Sequence, residues 1–564
     1  MQEGTLGKRE ETIHEKVDVV VIGGGFGGAA AAQKCASAGL KTLIIERSEN
    51  VGDKIISGLT IPFHGFLFGP DFIRDGNPPI ERPVDGIVNY IITDIDKGEI
   101  HIDDTMKVPK PFSPVFVLGY NAYCKSFCQW EMEQAIKAGA ELRTSVTVVD
   151  LVRTDGCING VKTENGEIIQ AKIVIDAEGS HGLLAIKAGI REKYPPDTIS
   201  LADVYVYDMD KKDIDRIFGF SLRFCWGWDE QKIAPPLGHG NGLMVWPYRD
   251  SLHLMQDQCL RNDEGPVYNV ASSLKKYHEK ITAGLPWWRD EVGPLIRLRA
   301  HMWDGFEIFV GLNEHLRNMP NYAAGILLIG DAAGLENTEL CDGVPAAWYS
   351  ADIAADVAIE AIRHNDTSAA FLKRYDDRIK AHPIIQWAIT STNRYNLRYA
   401  QQDHDEKKLR KCIHDGWGLG FCQYGSTALM KITLEFIKKD PAVIGKWVRM
   451  YLRYYYNWHH DHFDRSEENA GEMKNKRSGS GNGAGLKFYL RLMDLKLSIF
   501  GPFIKLAAAL LVPLSGAANP VIKALLPVLE PVYLRLKKMD YKFEPLSQRF
   551  ISAILNSDPS DFEA

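Results

Sequence analysis

Residues 17–28 read VDVVVIGGGFGG. The first six are a β-branched run of the kind that forms a strand buried on both faces of a parallel sheet. Gly23, Gly25 and Gly28 follow at once and satisfy GxGxxG. AAAAQKCASAG (29–39) then reads as a helix of small residues closed by Gly39, and KTLIIE (41–46) as a second strand. Each glycine has a task in such a unit. Gly23 makes the tight turn, Gly25 lets backbone approach a pyrophosphate, and Gly28 lets helix pack on strand. Helix-start amides bind the phosphates. Glu46 lies 18 residues past Gly28, placed to accept from a ribose hydroxyl. The chain therefore opens on a dinucleotide-binding unit.

Two later segments favour FAD over NAD. IVIDAEGS (173–180) ends a strand in small and acidic residues, and GILLIGDAAG (325–334) ends another at Gly330-Asp331. The second is similar to a motif by which a flavoprotein superfamily sets an Asp against the ribityl chain. By that resemblance Asp331 is the second cofactor ligand, followed by a helix N-terminus near the pyrimidine edge of the flavin. Without the resemblance it is an ordinary strand end. Phe26, Arg47, Gly179, Gly330 and Gly343 flank these motifs and complete the expected cofactor set. No second GxGxxG unit is visible, and VGDKIISGLT (51–60) lacks the cysteine pair of disulfide reductases.

The order of segments resembles the flavoprotein subunits of electron-transfer flavoprotein:quinone oxidoreductases, including those of nitrogen-fixing bacteria, and the related geranylgeranyl reductases. The likeness spans about residues 15–380 and rests on the cofactor motifs and four further segments. These are Ile56-Ser57-Gly58, WEMEQAIKAGAEL (130–142), ISLADVYVYDMDKKDIDRIFG (199–219) and GLMVWPYRDSLHLM (242–255). The resemblance implies that backbone at Gly58 lies by the reactive face of the isoalloxazine, where a side chain would block the substrate; the plain alternative is a turn glycine. The chain departs from the family in three places. NAYCKSFCQ (121–129) offers Lys125 where relatives have an Arg. Glu336, Glu339 and Asp342 stand where relatives are apolar or neutral. Beside a flavin these carboxylates would disfavour its anionic reduced form; otherwise they face solvent. The C-terminal cysteine set that binds an iron–sulfur cluster in animal-type relatives is missing, since Cys412 and Cys422 are too far apart. A cluster, if used, would come from a ferredoxin-like subunit.

Bulk properties bound the rest. With 564 residues the chain is expected to form two or three units. A net charge of -7 argues against a nucleic-acid partner. The nine cysteines include no CxxC, and the first sixteen residues are polar, which points to reduced thiols and a cytoplasmic-facing protein.

The expected fold is α/β: a Rossmann-like FAD-binding domain of the glutathione-reductase/hydroxylase type, an inserted antiparallel β substrate domain and a helical C-terminal region. The FAD domain is discontinuous, at 14–60, 111–188 and 320–365. The substrate domain takes 61–110 and 189–319, and helices 366–465. Residues 466–485 are a Gly/Ser/Asn linker, and 486–564 an apolar, membrane-associating region. Ile444, Trp447, Val448, Tyr451, Tyr455 and Trp458 share one helical face, opposite Lys446, Arg449 and Arg453. Such a helix lies on anionic lipid or packs on its own domain. His459, His460 and His462 read as a solvated helix end rather than a metal site. LAAALLVPLSGAANPVI (506–522) holds no charge, but Pro513, Pro520 and Pro527 break it, so it suits one leaflet better than a span. A hydrophobic subunit interface is the alternative.

The leading expectation is a peripheral enzyme on the cytoplasmic side of the cell membrane. It takes electrons from an electron-transfer flavoprotein or ferredoxin-like partner and delivers them to membrane quinone, with FAD as cofactor, no metal and Gly58 at the reaction site. A polyprenyl reductase is the alternative. An aromatic hydroxylase and a flavin-bearing scaffold stand behind these.

Overall fold

The computed structural model describes residues 13–459 except 54–57, 108–116, 195–198, 228–241, 260, 263–264, 267–269, 309–317, 337–342 and 391–424, together with a few positions between 491 and 506. Its described strands form two large sheets, a three-stranded one and a two-stranded one.

The first sheet is built on β1 (Ile13–Ile22), which pairs in parallel with β2 (Thr42–Ile45) on one side and β11 (Ile168–Asp176) on the other. β8 (Glu141–Arg143) extends it beyond β2, and β20 (Ile326–Leu328) beyond β11. β19 (Tyr322–Ala323) turns back on β20, and β9 (Val148–Thr154) and β10 (Cys157–Thr163) form an antiparallel flap on β11. Val19, Val20 and Val21 are all fully buried, as a two-faced strand requires. Helix α1 (Phe26–Ser37) covers one face with Ala29, Ala31 and Ala32, whose small side chains let it approach the helix Val344–His364 closely. Register sets Ile22 beside Ile45 and Asp176, and Asp176 beside Leu328, so four strand ends open on one crevice.

The second sheet runs β18 (Arg297–Ile308), β12 (Ile199–Asp208), β15 (Ser251–Cys259), β14 (Gly242–Pro247), β13 (Ser221–Gly227), β5 (Gly86–Asp94) and β6 (Glu99–Lys107). Apart from the parallel β13–β5 pair it is antiparallel. A two-stranded ladder, β16 (Arg261–Asn262) and β17 (Gly265–Pro266), follows β15. Both faces of the large sheet are apolar. Tyr205, Leu252 and Leu254 pack with Tyr277 and Ile281 of helix Val270–Gly284, while Val204, Met244, Trp246 and Met255 share a cluster on the other face.

The small sheet, β3 (Gly58–Pro62), β7 (Gly119–Tyr123) and β4 (Ile80–Val84), corrects the expected boundary. Residues from 61 were assigned to strands of the substrate domain. Instead α2 (Phe63–Phe68) and α3 (Asp71–Asp75) follow β3, and Ile61, Phe66, Phe68, Ile73 and Ile80 join the first sheet's core. The aromatic FHGFLF run buries on helix Val344–His364 through Trp348, whose ring meets Phe66 at 6.1 Å.

The amphipathic helix Val443–His459 packs on this region: Tyr451 stacks on Phe63 at 4.0 Å, and the Trp447 indole and Tyr454 hydroxyl donate to the carbonyls of Leu67 and Ile73, each at 3.1 Å. Trp447, Tyr451 and Tyr454 thus pack on the helix's own domain; the side chains of Tyr455 and Trp458 lie outside the described residues. Among the described residues no helix is long and apolar enough to cross a membrane. The linker at 466–485 and the apolar run at 506–522 lie outside the described residues, save Leu506.

Candidate functional site

A cleft of about 350 Å³ opens where the four parallel strands end. Every residue expected to hold the cofactor lines it except Gly28, which lies one turn behind: Gly23, Gly25, Phe26, Glu46, Arg47, Gly179, Gly330, Asp331 and Gly343, with Gly58 as well. The opposite wall comes from the second sheet as Ala202, Trp246 and Met255.

The floor is backbone. Gly23 has a φ of +99°, and a Cβ there would sit 2.3 Å from the Ala177 carbonyl oxygen. A Cβ on Gly28 would sit 1.9 Å from the Gly23 carbonyl oxygen, so α1 can start this close to β1 only with glycine at that position. The first turn of α1 carries no acidic residue, leaving its amides and helix dipole facing an anion. Glu46 does more than wait for a sugar. Its Oε2 accepts from the Gly24 amide at 2.7 Å and its Oε1 from Ser48 at 2.8 Å, so one carboxylate ties the glycine loop to the end of β2.

Asp331 sits in the short turn Gly330–Ala333. The Gly330 amide donates to Ser350 Oγ at 3.0 Å, fixing that turn against helix Val344–His364. A Cβ on Gly343 would come within 2.8 Å of Asp331 Oδ1, so the helix start needs glycine to lie beside this carboxylate. Arg191 braces the same turn from behind, donating to the Ala333 carbonyl at 2.8 Å.

Asp176 was quoted in the sequence only as part of a strand end. It is fully buried, its Oδ1 accepts from the Glu178 amide at 3.1 Å, and its Oδ2 meets no partner among the described residues. Burial, and then the Glu178 charge, push its carboxyl well above the usual range. Burial thus disfavours the charged form of Asp176, at the strand end from which the cleft-lining Ala177–His181 segment departs.

The departures from the family pattern now have positions. Lys125 ion-pairs with Asp53 on the surface and does not line the cleft. Glu336 is buried and does line it; Glu339 and Asp342 lie outside the described residues. Ala202, Trp246, Met255, Val146, Thr147, Ser180 and His181 were not singled out from sequence. For Trp246 and Met255 the signal was available, because both lie in GLMVWPYRDSLHLM and alternate with the buried Val245 and Leu254.

Gly58 lines the cleft at the start of β3, but its missing side chain points elsewhere: a Cβ would fall 1.9 Å from the Tyr248 hydroxyl oxygen. Glycine is required here by the wall behind it, whatever lies in front.

Residues 18–215 match the family model described as FAD dependent oxidoreductase. The chain is an FAD-dependent oxidoreductase. The cleft just described would hold the flavin, since the glycine floor, Glu46 and Asp331 fit a dinucleotide in extended form. This oxidoreductase is 28% identical over 372 residues to digeranylgeranylglycerophospholipid reductase 1 of Methanopyrus kandleri, covering 64% of this chain and 85% of that protein. It is 26% identical over 378 residues to protein FixC of Salmonella typhi, covering 65% of this chain and 82% of that one. In structure it is similar to a geranylgeranyl bacteriochlorophyll reductase-like protein of Thermoplasma acidophilum. The TM-score is 0.54 at 23% identity, over 72% of this chain and 97% of that one, a likeness of fold.

Proposed function

We propose that this oxidoreductase passes electrons from a soluble protein donor, an electron-transfer flavoprotein or ferredoxin-like subunit, to a membrane quinone. One observation carries the choice of an apolar acceptor. The wall facing the glycine floor, Ala202, Trp246 and Met255, brings no charge, and Gly58 beside it brings no side chain. A wall of this kind binds a flat, uncharged molecule through apolar and aromatic contact.

Bound FAD supplies the redox chemistry, accepting an electron pair and releasing electrons singly. The chain's residues bind and orient. The α1 amides and Glu46 hold the phosphates and adenosine sugar, Asp331 the ribityl chain, and Gly58 and Trp246 flank the space left for the acceptor. Met255 and Ala202 exclude water there. The uncharged run at 506–522 supports a place on the lipid surface of the cytoplasmic side, where a quinone head could enter from one leaflet.

The name of the Methanopyrus relative supports a second reading, saturation of isoprenoid double bonds in a lipid. Both acceptors are apolar, so product analysis separates them. Flavin reduced anaerobically should be reoxidised at once by a short-chain ubiquinone or menaquinone analogue, with quinol formed in equal amount. No reoxidation by any quinone, together with mass gain in a geranylgeranyl lipid, contradicts the first reading and establishes the second.

A further inference from the structure

The residues behind Gly58 form a buried cluster that the functional reading has not used. β3 is the edge of the small sheet, and the Gly58 amide, instead of joining a ladder, donates to Nδ1 of His253 on β15 at 3.2 Å. Tyr248 lies beside both, its ring 4.3 Å from the His253 ring and 4.7 Å from that of Tyr123, which it stacks. Two more bonds cross at the same place, from Asn121 Nδ2 to the Pro247 carbonyl at 2.7 Å and from the Tyr248 hydroxyl to the Ala122 carbonyl at 3.4 Å. The backbone at Gly58 is thus fastened to the second sheet from its amide, and the Tyr248 hydroxyl blocks it from behind.

The histidine is placed with care. Its neighbours along β15, Leu252 and Leu254, face the helix-covered side of the sheet, so His253 and Met255 project toward the cleft side. Because Nδ1 accepts from an amide it carries the lone pair, and the proton sits on Nε2. Burial, reinforced by nearby Arg299, pushes the imidazole down to about 3, so it stays neutral. Its Nε2 has no hydrogen-bond partner among the described residues. An apolar side chain would pack in this position without leaving a donor unmet. What a leucine would lack is the acceptor for Gly58.

We propose that His253 is a positioning residue of the redox site, whose neutral imidazole accepts the Gly58 amide and fixes the distance of that backbone from the flavin ring. This rests on the ring lying beside Gly58 and not on which acceptor the enzyme reduces. With the acceptor removed, the amide is left without a partner and β3 shifts to find one, toward the cleft or away from it. Either movement changes the surroundings of the flavin without touching the phosphate end.

The test uses the FAD-loaded full chain of three variants. His253→Leu should shift the flavin absorption bands and midpoint potential and raise the FAD dissociation constant about three- to ten-fold. His253→Gln, whose side-chain oxygen can accept the same amide, should return all three toward wild type, a recovery that loss of packing alone would not show. The double variant Gly58→Ala/Tyr248→Ala, in which removal of the whole ring, whose Cζ would lie 2.4 Å from the new methyl, makes room for it, reports on ring placement. Wild-type bands and potential in His253→Leu, with a shift in the double variant, overturn the role of His253 and leave the site reading intact. Silence in both overturns the ring placement and the proposal together. Should His253→Leu fail to fold, residue-resolved hydrogen exchange on the wild-type protein decides: a slowly exchanging Gly58 amide supports the bond, and a freely exchanging one refutes it.

Discussion

At Gly28, one turn behind the floor of the cleft, one added carbon would lie 1.9 Å from a carbonyl oxygen; at Trp246, on the facing wall, a whole indole fits. The floor is specified by side chains that are absent, because phosphate recognition needs backbone amides and backbone must come close. The wall is specified by side chains that are present, because an apolar acceptor is recognised by surface. A floor of this kind tolerates almost no substitution and belongs to the Rossmann-type fold at large, whereas a wall can change residue by residue and alter the acceptor while the cofactor stays.

Four substitutions sharpen or break that division, in falling order of effect. Gly28→Val should abolish retention of FAD, weakening it by about 100-fold or more, because the helix start must move off the strand; flavin content after gel filtration reads this out. Glu46→Gln keeps the shape but offers one acceptor oxygen to the two amides of Gly24 and Ser48, losing one bond and the charge on the other, an effect of about 2 kcal/mol, or roughly thirty-fold in FAD affinity by calorimetry. Trp246→Ala should raise the KM for the acceptor about ten-fold in steady-state assays while FAD affinity moves by less than about three-fold. If that variant loses FAD as readily as Gly28→Val, floor and wall are not separable.

The smallest effect is on stability. Glu131, fully buried, accepts from the Trp348 indole at 2.6 Å, and burial pushes its carboxyl well above the usual range. The native state therefore keeps a proton that the unfolded chain gives up above its own pKa of about 4.3. Stability from this group is full below that value and is lost as pH rises toward the native one. Glu131→Gln cannot ionise and keeps an acceptor for Trp348. Its melting temperature should gain on wild type by about 2–3 °C between pH 5 and pH 8; an equal difference at both pH values contradicts a protonated Glu131.

How much of this was legible in the sequence follows from the same contrast. Gly23, Gly25, Gly28 and Glu46 were readable because local backbone geometry demands them within one strand–helix–strand unit, whereas Asp331 was reached only through the resemblance of its motif to a family's. His253 and Tyr248 were not, although both lie in a quoted segment. Their meaning comes from Gly58, 195 residues away from His253 in the chain, and only the meeting of β3 with the second sheet reveals it. Asp176 is a similar case: its burial follows from β1, β11 and β20 lying side by side. The boundary at residue 61 was misplaced because FHGFLF and its neighbours are aromatic enough to suggest strands, while packing on Trp348 makes them helices. The amphipathic helix at 443–459 left two outcomes open in its pattern, packing on its own domain being the commoner, and the contact with Phe63 shows that packing.

The central claim is that one FAD is held by the glycine floor and Glu46, independently of the wall. Titrating flavin-free protein with FAD, followed by quenching of flavin fluorescence, tests it most directly. The account predicts one FAD per chain for the wild type and for Trp246→Ala, and none for Gly28→Val. A wild-type protein that takes up no flavin, or a Gly28→Val protein that binds it as tightly as the wild type, would contradict it.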